Sequence, residues 1–306
     1  MMKKTKKPRS LLGIEGMEAK EITAILKLAS RMNPARPSNK LRGKTVVLLF
    51  YESSTRTRSS FELAAKSLGA TTILITATAS SIEKGESLID TGYTVASLGA
   101  DAIIMRHPSS GAHWLLADHL DIPIINAGDG MHEHPSQGLL DAMTILQAKK
   151  SFKGLKVAII GDLYHSRVAR SNAHLLPKFG AKLFFCGPPD FCPDEMAKIA
   201  PGIEVTHDVE KALTGADVVM SLRVQKERLA GRQLSVEEYV TKYQITRERL
   251  ALAKKDAILM HPGPIIRGME LTNDVADGNQ SRILNQVNNG VKVRMAILQS
   301  LLATKN

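Results

Sequence analysis

Short apolar runs alternate with amphipathic stretches along nearly the whole chain. The runs are three to five residues long and apolar at most positions, which is typical of parallel strands buried on both faces. We predict strands at residues 45–49, 72–75, 102–105, 123–125, 157–160, 183–186, 218–222 and 258–260. Helical periodicity is clearest at residues 18–32, 61–68, 138–149 and 291–302. This alternation predicts an α/β fold with central parallel sheets flanked by helices.

A polar stretch at residues 149–156 separates a long predicted helix from a new predicted strand. Such stretches are typical of domain boundaries, so we expect two α/β domains, with the first ending at residue 149 and the second beginning at residue 150. A second polar segment, residues 224–246, is long and rich in charge. We predict that this segment is a mobile functional loop, because long loops inside compact domains usually carry function.

The apolar pattern also bears on the compartment. Its longest aliphatic runs are far below the roughly 18 residues of a membrane helix, and residues 1–10 lack the apolar core of a signal peptide. The two cysteines, Cys186 and Cys192, match no metal-ligand or disulfide spacing. We therefore expect a cytoplasmic protein with no membrane association and no bound metal.

Charge changes this picture, because 41 basic residues against 30 acidic ones give a net charge of +11. Five of the basic residues lie in a short tail: Lys3, Lys4, Lys6, Lys7 and Arg9. Nucleic acid is one class of partner that fits a basic protein. Aromatic residues make up only 4% of the chain, however, which is a poor supply of rings for base stacking. The composition therefore favours small acidic ligands and leaves nucleic acid as the alternative.

The first candidate site follows the predicted strand at residues 45–49. Residues 53–60 read Ser-Ser-Thr-Arg-Thr-Arg-Ser-Ser and open a helix. The free N–H groups at a helix start, together with hydroxyls and guanidiniums, are suited to a phosphate. The alternative is a capped helix with two surface arginines. The sequence is not a Walker loop, so it gives no support for nucleoside triphosphate binding.

Two further candidates also follow predicted strands. His134 and Gln137 lie about one helical turn apart at a helix start, although a His-Pro pair can also be a simple turn. In His261-Pro262-Gly263-Pro264, the prolines hold an irregular backbone whose carbonyls can accept hydrogen bonds from a ligand; a rigid turn without function is the alternative. Open α/β sheets bind ligands at the carboxyl ends of their strands, where all three candidates fall.

These motifs carry a family resemblance that covers nearly the whole chain after the basic tail. Residues 54–58, Arg106-His107-Pro108, residues 134–137 and residues 261–264 together resemble the carbamoyltransferases, in the same order and with comparable spacing. Residues 221–228, Ser-Leu-Arg-Val-Gln-Lys-Glu-Arg, resemble more narrowly the catalytic chains of the aspartate carbamoyltransferases. One such motif is moderate evidence, whereas five in register are strong evidence.

The resemblance implies a fold and a reaction. It implies a carbamoyl phosphate-binding domain at residues 1–149, an aspartate-binding domain at residues 150–283, and a C-terminal helix, residues 284–306, that packs back onto the first domain. The reaction moves the carbamoyl group from carbamoyl phosphate to the amino group of L-aspartate, giving N-carbamoyl-L-aspartate and phosphate. This is the committed step of de novo pyrimidine biosynthesis, and the resemblance implies no cofactor.

The resemblance also assigns roles to individual residues. Catalysis would fall to Arg56, Thr57, Arg106 and His134. Carbamoyl phosphate would be bound by Ser54, Thr55, Arg56, Thr57, Arg106, His134, Gln137, Gly263 and Pro264. Aspartate would be bound by Lys84, Arg167, Arg223 and Gln225.

The resemblance further implies a homotrimer with shared active sites. Lys84 would reach into the neighbouring subunit's site together with Ser80 or Ser81, between which the sequence does not decide. Residues 224–246 would be a lid that moves when aspartate binds. Regulatory chains or a dihydroorotase are possible additional partners.

Ornithine carbamoyltransferase is the alternative within the same class. Its members normally carry a cysteine in the second and third motifs, where this chain has Ser136 and Gly263. They also carry Ser-Met-Gly where this chain has Ser221-Leu222-Arg223. An arginine at that position favours an acidic substrate over a cationic one.

Overall fold

The computed structural model describes residues 7–76, 85–224 and 235–303. The chain divides into two compact units. The first unit comprises Met1–Leu139 and Asn288–Asn306, and the second comprises Leu140–Val287. Each unit has its own parallel sheet flanked by helices, which confirms the predicted fold class. No helix in the described ranges is long and apolar enough to cross a membrane.

The first unit contains four parallel strands in the order β2-β1-β3-β4. Their bounds are β1 Thr45–Phe50, β2 Thr71–Thr76, β3 Ala102–His107 and β4 Ile124–Asp129. Its helices are α1 Ala19–Ala29, α2 Thr55–Ser67, α3 Leu88–Ser97 and α4 Ala112–His119. Parallel pairing aligns the carboxyl ends of these strands at one edge of the sheet, where Phe50 pairs with Arg106. That edge is where the first and second candidate motifs follow their strands.

The second unit contains five parallel strands in the order β7-β6-β5-β8-β9. Their bounds are β5 Lys156–Ile160, β6 Lys182–Cys186, β7 Ile203–Thr206, β8 Val218–Ser221 and β9 Ile258–Met260. Its helices are α6 Arg167–Leu175, α7 Val209–Leu213, α8 Val236–Tyr243, α9 Arg247–Leu250 and α10 Asn273–Ala276. Two 3₁₀ turns, Leu176–Phe179 and Asp194–Lys198, precede β6 and β7. The chain passes from one unit to the other within α5 Pro135–Lys149 and again within α11 Ile283–Leu302.

The core of each unit is made by the residues that the apolar runs contribute. In the first unit, Val47, Leu49, Ile103 and Met105 pack in one buried cluster with the inner side of α4. In the second, residues of β5 and β8 pack with α7, α8 and the segment before β9. Burying these side chains supplies most of the favourable free energy of folding. It also holds the strand ends in fixed positions.

Some elements differ from the sequence prediction. Strand β2 is not buried on both faces, since Ile73 and Leu74 are more than 40% exposed. This strand is the edge of its sheet, so only β1 pairs with it among the described residues. Strand β7 was not predicted, because Ile203-Glu204-Val205-Thr206 alternates with polar residues as an edge strand does. Helix α2 begins at Thr55, within the residues 53–60 that were predicted to open a helix; its apolar periodicity is clear only from residue 61 because its first two turns are polar.

The prediction of a continuous loop at residues 224–246 was wrong for its second half. Helix α8 occupies Val236–Tyr243 and begins with a capping box, in which Ser235 and Glu238 each accept from the other's backbone N–H. Tyr239 and Tyr243 lie one turn apart on its buried face and stack on each other. The charged residues of this helix face solvent, which gave the sequence its loop-like composition. Residues 225–234 lie outside the described residues.

Candidate active site

The carboxyl edge of the first unit's sheet gathers the first group of candidate residues. Ser54 to Thr57 follow β1, Arg106 lies at the end of β3, and His134 follows β4. Strands β1, β3 and β4 are neighbours, so the fold brings these three segments to the same edge. The order of the sheet reverses between β1 and β3, which is the position where open α/β sheets form a ligand crevice.

The start of α2 is suited to binding an anion. Ser54 is the residue before the first turn, and its side chain makes no capping hydrogen bond. Thr55, Arg56 and Thr57 form the first turn, which contains no acidic residue. The N–H groups of a first turn have no partner within the helix and lie at the positive end of its dipole. The hydroxyls of Thr55 and Thr57 and the guanidinium of Arg56 therefore belong to a turn whose backbone already favours negative charge.

Arg106 is held beside this turn by two contacts. Its Nε donates to Oε2 of Glu52 at 3.1 Å, and its Nη1 donates to Oγ of Ser54 at 3.3 Å. The Arg106 side chain is only 16% exposed. A guanidinium fixed by a carboxylate on one side presents its remaining N–H groups in a defined direction. Glu52 was not among the predicted residues, although its position two residues before Ser54 in the sequence could have identified it as a neighbour of the site.

His134 lies against the same turn. Its Nε2 is 3.4 Å from Oγ1 of Thr57, and both side chains are buried. The backbone carbonyl of His134 accepts from the N–H groups of Gln137 and Gly138, which starts helix α5. Gln137 is buried one turn further on. The structure thus brings Ser54, Thr57, Arg106 and His134 together through direct contacts.

His132 and Glu133, the two residues before His134, contact other parts of the chain. His132 Nδ1 lies 3.3 Å from the buried carboxylate of Asp129. Burial alone would raise the pKa of Asp129, but hydrogen bonds from His132, Asn126 and the Gly111 backbone lower it. The carboxylate of Glu133 accepts from the backbone N–H groups of residues 14 and 15. These three consecutive side chains thus have separate partners, and the described ranges contain no group of three His, Cys, Asp or Glu side chains arranged to hold a metal ion.

The carboxyl edge of the second unit's sheet gathers the second group. Arg167 follows β5 as the first residue of α6, Arg223 follows β8, and Gly263 and Pro264 follow β9. Strands β5, β8 and β9 are neighbours in the sheet. Ser166 caps α6 by accepting from the Ala169 N–H at 3.1 Å. Two guanidiniums and one loop backbone therefore share this edge.

The loop after β9 is fixed by a buried polar network. The His261 N–H donates to Oε1 of Gln286 at 2.9 Å, and Nε2 of Gln286 donates to Asp141 at 2.8 Å. Nδ1 of His261 accepts from the Gly263 N–H at 2.8 Å, and the Gly263–Pro264 peptide is cis. Asn172 of α6 donates to the second oxygen of Asp141. The loop is thus tied to α5, α6 and α11 of the second unit.

Two predicted residues, Lys84 and Gln225, lie outside the described residues, as do Ser80 and Ser81. The cysteines are described, and they take no part in either group. Both are buried and unpaired. Burial raises the pKa of each thiol to about 12, which keeps it protonated and unreactive at neutral pH.

Comparison with known proteins relates these groups to a family. Residues 9–147 match the carbamoyl-P binding domain of the aspartate/ornithine carbamoyltransferases, and residues 153–301 match the Asp/Orn binding domain of the same family. The chain is 83% identical to the aspartate carbamoyltransferase catalytic subunit of Koribacter versatilis over 300 residues, covering 98% of this chain and 99% of the relative. It is 54% identical to the corresponding subunit of Solibacter usitatus, covering 96% and 99%.

Solved structures agree on the fold. Aspartate transcarbamoylase from Trypanosoma cruzi, in complex with carbamoyl aspartate and phosphate, superposes with a TM-score of 0.88 at 34% identity, covering 97% of each chain. Ornithine carbamoyltransferase from Pyrococcus furiosus superposes with a TM-score of 0.87 at 30% identity, covering 98% and 99%. The fold therefore does not separate the two activities, whereas the sequence identities do. The chain belongs to the aspartate/ornithine carbamoyltransferase family, in its aspartate carbamoyltransferase branch.

Proposed function

We propose that this protein transfers the carbamoyl group of carbamoyl phosphate to the amino group of L-aspartate, giving N-carbamoyl-L-aspartate and phosphate. The observation that carries the proposal is the anion-binding group at the carboxyl edge of the first sheet, where Arg106 and His134 contact Ser54 and Thr57. In the branch to which the chain belongs, this reaction is the committed step of pyrimidine biosynthesis.

Carbamoyl phosphate binds at the first group. The first turn of α2, with Ser54, Thr55, Arg56 and Thr57, takes the phosphate, because a helix start with hydroxyls and a guanidinium favours a multiply charged anion. Arg106 lies beside that turn and contacts both the phosphate and the carbonyl oxygen. Thr57 and His134 donate to the same carbonyl oxygen.

The carbamoyl NH2 has a different set of partners. Gln137 and the backbone at Gly263 and Pro264 position it, since carbonyl oxygens accept the hydrogen bonds that an amide nitrogen donates. The network through His261, Gln286 and Asp141 supports this role, because it holds the loop before the substrate arrives. A fixed acceptor needs no reorganisation during the reaction.

Aspartate binds at the second group. Arg167 and Arg223 each bind one carboxylate, because a planar guanidinium pairs with a carboxylate through two parallel hydrogen bonds. Lys84 and Gln225 complete the pocket. An ornithine side chain carries a positive charge instead, which Arg223 would repel.

The chemical step forms one bond and breaks one. The amine nitrogen of aspartate attacks the carbonyl carbon, a C–N bond forms, and the negative charge that develops on oxygen is stabilised by Arg106, Thr57 and His134. The C–O bond to phosphate then breaks, and the departing phosphate takes the proton from the amine. Fixed donors of this kind typically contribute roughly 10²- to 10³-fold each to turnover.

A direct assay tests the proposal. Purified protein is mixed with carbamoyl phosphate and either L-aspartate or L-ornithine, and the carbamoylated product is measured. We expect product with aspartate and none above background with ornithine. An Arg56→Ala preparation purified in the same way controls for a contaminating enzyme. Product from ornithine alone would overturn the proposed function.

We also propose a homotrimer with shared active sites. The exposed apolar side chains of the first unit support association, since Ile73 and Leu74 of β2 and Tyr93 of α3 are each more than 40% exposed, and Leu98 is 75% exposed. Ile73 and Leu74 are consecutive on an edge strand, and an exposed strand edge is a surface where chains can associate. Whether regulatory chains or a dihydroorotase join this trimer is tested by measuring the native mass with and without them. We place the enzyme in the cytoplasm, where unpaired thiols such as those of Cys186 and Cys192 are stable.

A further inference from the structure

Glu270 is a buried carboxylate in the second unit, six residues after Pro264. Its Oε2 accepts from the Ile266 N–H at 2.9 Å, and its Oε1 accepts from the Val224 N–H at 3.2 Å. Its backbone carbonyl accepts from the Ile245 N–H, so the residue is itself fixed. No motif in the sequence marks it. The carboxylate thus joins two separate segments of chain.

Both segments belong to the second group of candidate residues. Val224 directly follows Arg223 at the end of β8, and Ile266 comes two residues after Pro264 in the loop after β9. One rigid carboxylate with one oxygen on each segment sets the distance between them. It also sets the direction in which the backbone leaves β8, and therefore the position from which the Arg223 side chain extends.

The charge of Glu270 also acts on the Arg223 side chain. Arg223 interacts electrostatically with its carboxylate, and burial together with the charge of Glu270 raises the pKa of the Tyr239 hydroxyl. Burial raises the pKa of Glu270 to about 6, and the backbone donors and Arg223 oppose that rise. Above that pH the carboxylate is charged and attracts the exposed guanidinium. A buried charge is costly for folding, and the hydrogen bonds from the Val224 and Ile266 N–H groups offset part of that cost.

We propose that Glu270 is a positioning residue for aspartate: it holds the end of β8 and the loop after β9 in register, and it orients Arg223 toward a substrate carboxylate. The inference rests on the proposed function, because it assigns Arg223 to aspartate. Glu270 does not touch the substrate. Its effect is therefore expected mainly in aspartate binding, because the backbone at Gly263 that is assigned to carbamoyl phosphate is also held through His261, Gln286 and Asp141.

The test compares two nearly isosteric variants. Glu270→Gln removes the charge and turns one of the two acceptors into a donor. Asp217→Asn is the matched control, because Asp217 is also buried in the second unit and accepts from the Lys156 N–H and Lys254 Nζ. Asp217 immediately precedes β8, so it lies at the opposite edge of the sheet from Arg223.

We expect Glu270→Gln to raise the KM for aspartate by about tenfold, the usual minimum for losing a hydrogen-bonded charge. Its KM for carbamoyl phosphate should change by less than about twofold, and the control should leave both constants unchanged. A second measurement uses the Arg223→Ala background, where Glu270→Gln should have almost no further effect on aspartate, because coupled residues are not additive.

Equal effects on both substrates, or an unchanged KM for aspartate, would overturn the inference. So would full additivity with Arg223→Ala. If Glu270→Gln is not recovered as folded protein, Glu270→Asp replaces it, with the same criteria and a smaller expected rise of about threefold. A wild-type protein without activity on aspartate would instead overturn the proposed function, so the two failures are distinguishable.

Discussion

At the scale of single residues, the arginines divide into those that the protein holds and those that it exposes. Arg106 is mostly buried and bound to Glu52 and Ser54. Arg223 is exposed at the end of β8 and lies near the buried Glu270. A held guanidinium suits a transition state of fixed geometry, whereas an exposed one can close on a substrate. Substituting arginines of the two groups should therefore change different kinetic constants.

Replacing Arg223 by Ala should raise the KM for aspartate at least tenfold, because one carboxylate loses its bidentate partner. Arg56 is also exposed, but it belongs to the group assigned to phosphate, so replacing it by Ala should lower kcat by roughly 10²- to 10³-fold because the phosphate loses a guanidinium donor. Steady-state kinetics with each substrate varied in turn measures both effects. Arg247→Ala is a control, because that exposed side chain pairs only with Asp274 at the surface among the contacts described. Equal effects of both variants on both substrates would contradict the assignment.

Glu270 also makes stability depend on pH. Its pKa in the folded protein is about 6, above its ordinary value of 4.5, because burial disfavours the charged form. The folded state is therefore favoured below pH 4.5, and this advantage is lost as the pH rises through 6. Between pH 5 and pH 7 the unfolding free energy of the wild type should fall by about 1 kcal/mol relative to Glu270→Gln.

Urea denaturation of both proteins at the two pH values measures this difference. The comparison with the Gln variant removes the other titrating groups, since they are the same in both chains. A difference in unfolding free energy that stays constant from pH 5 to pH 7, or that grows in favour of the wild type, would show that the pKa of Glu270 is not raised in the folded protein.

Sequence motifs identified the candidate ligand-binding residues and not the residues that support them. Ser54, Thr57 and His134 were predicted at strand ends, Arg106 was added through the family resemblance, and the structure places Arg106 against Ser54 and His134 against Thr57. Their roles in catalysis stay predictions. Glu270 could not be predicted, because its partners are backbone N–H groups 46 and four residues away in the chain. Backbone donors carry no sequence signature.

At the scale of elements, helix α8 shows how a local signal was outweighed by composition. Ser235 and Glu238 have the spacing of a capping box, and Val236, Tyr239, Val240 and Tyr243 have helical spacing. The charged residues between them dominated the prediction of a loop. Strand β7 was missed for the related reason that an edge strand keeps few apolar positions. Strands with continuous apolar runs, such as β1 and β5, were predicted to within one residue at each end.

The capping box of α8 gives an element-scale prediction. Ser235→Ala removes the acceptor for the Glu238 N–H, which is 3.1 Å from the serine oxygen. Losing such a cap typically costs about 1 kcal/mol. Thermal unfolding should show a lower midpoint for Ser235→Ala than for Ser30→Ala, whose hydroxyl bonds only within its own helix end. Equal midpoints would mean that the cap does not stabilise α8.

At the scale of the whole molecule, the net charge is explained without nucleic-acid binding. Five basic residues lie in the tail, and five more, Arg56, Lys84, Arg106, Arg167 and Arg223, are assigned to two anionic substrates. Removing both sets from +11 leaves a nearly neutral remainder. A basic balance that is concentrated at a tail and a site differs from a basic stripe, which is the pattern that nucleic-acid binding requires.

Shared active sites predict rescue between two inactive chains. Lys84→Ala and Arg56→Ala are each expected to be nearly inactive. Mixed trimers assembled from both should recover part of the activity, because some sites would combine an intact Lys84 with an intact Arg56. Activity is measured after denaturing and refolding the mixture, with each variant refolded alone as the control. Mixed trimers that form without any recovery would contradict sharing.

Strand β2 has a consequence for how the molecule is made. A newly folded single chain exposes Ile73 and Leu74 on a strand whose outer edge has no partner among the described residues. Such an edge is a template for irregular association with other chains. Under the proposed trimer, assembly and aggregation would compete for exposed surface, and both would accelerate with concentration. The rate of trimer assembly, and not only the final stability, would then set the yield of active protein.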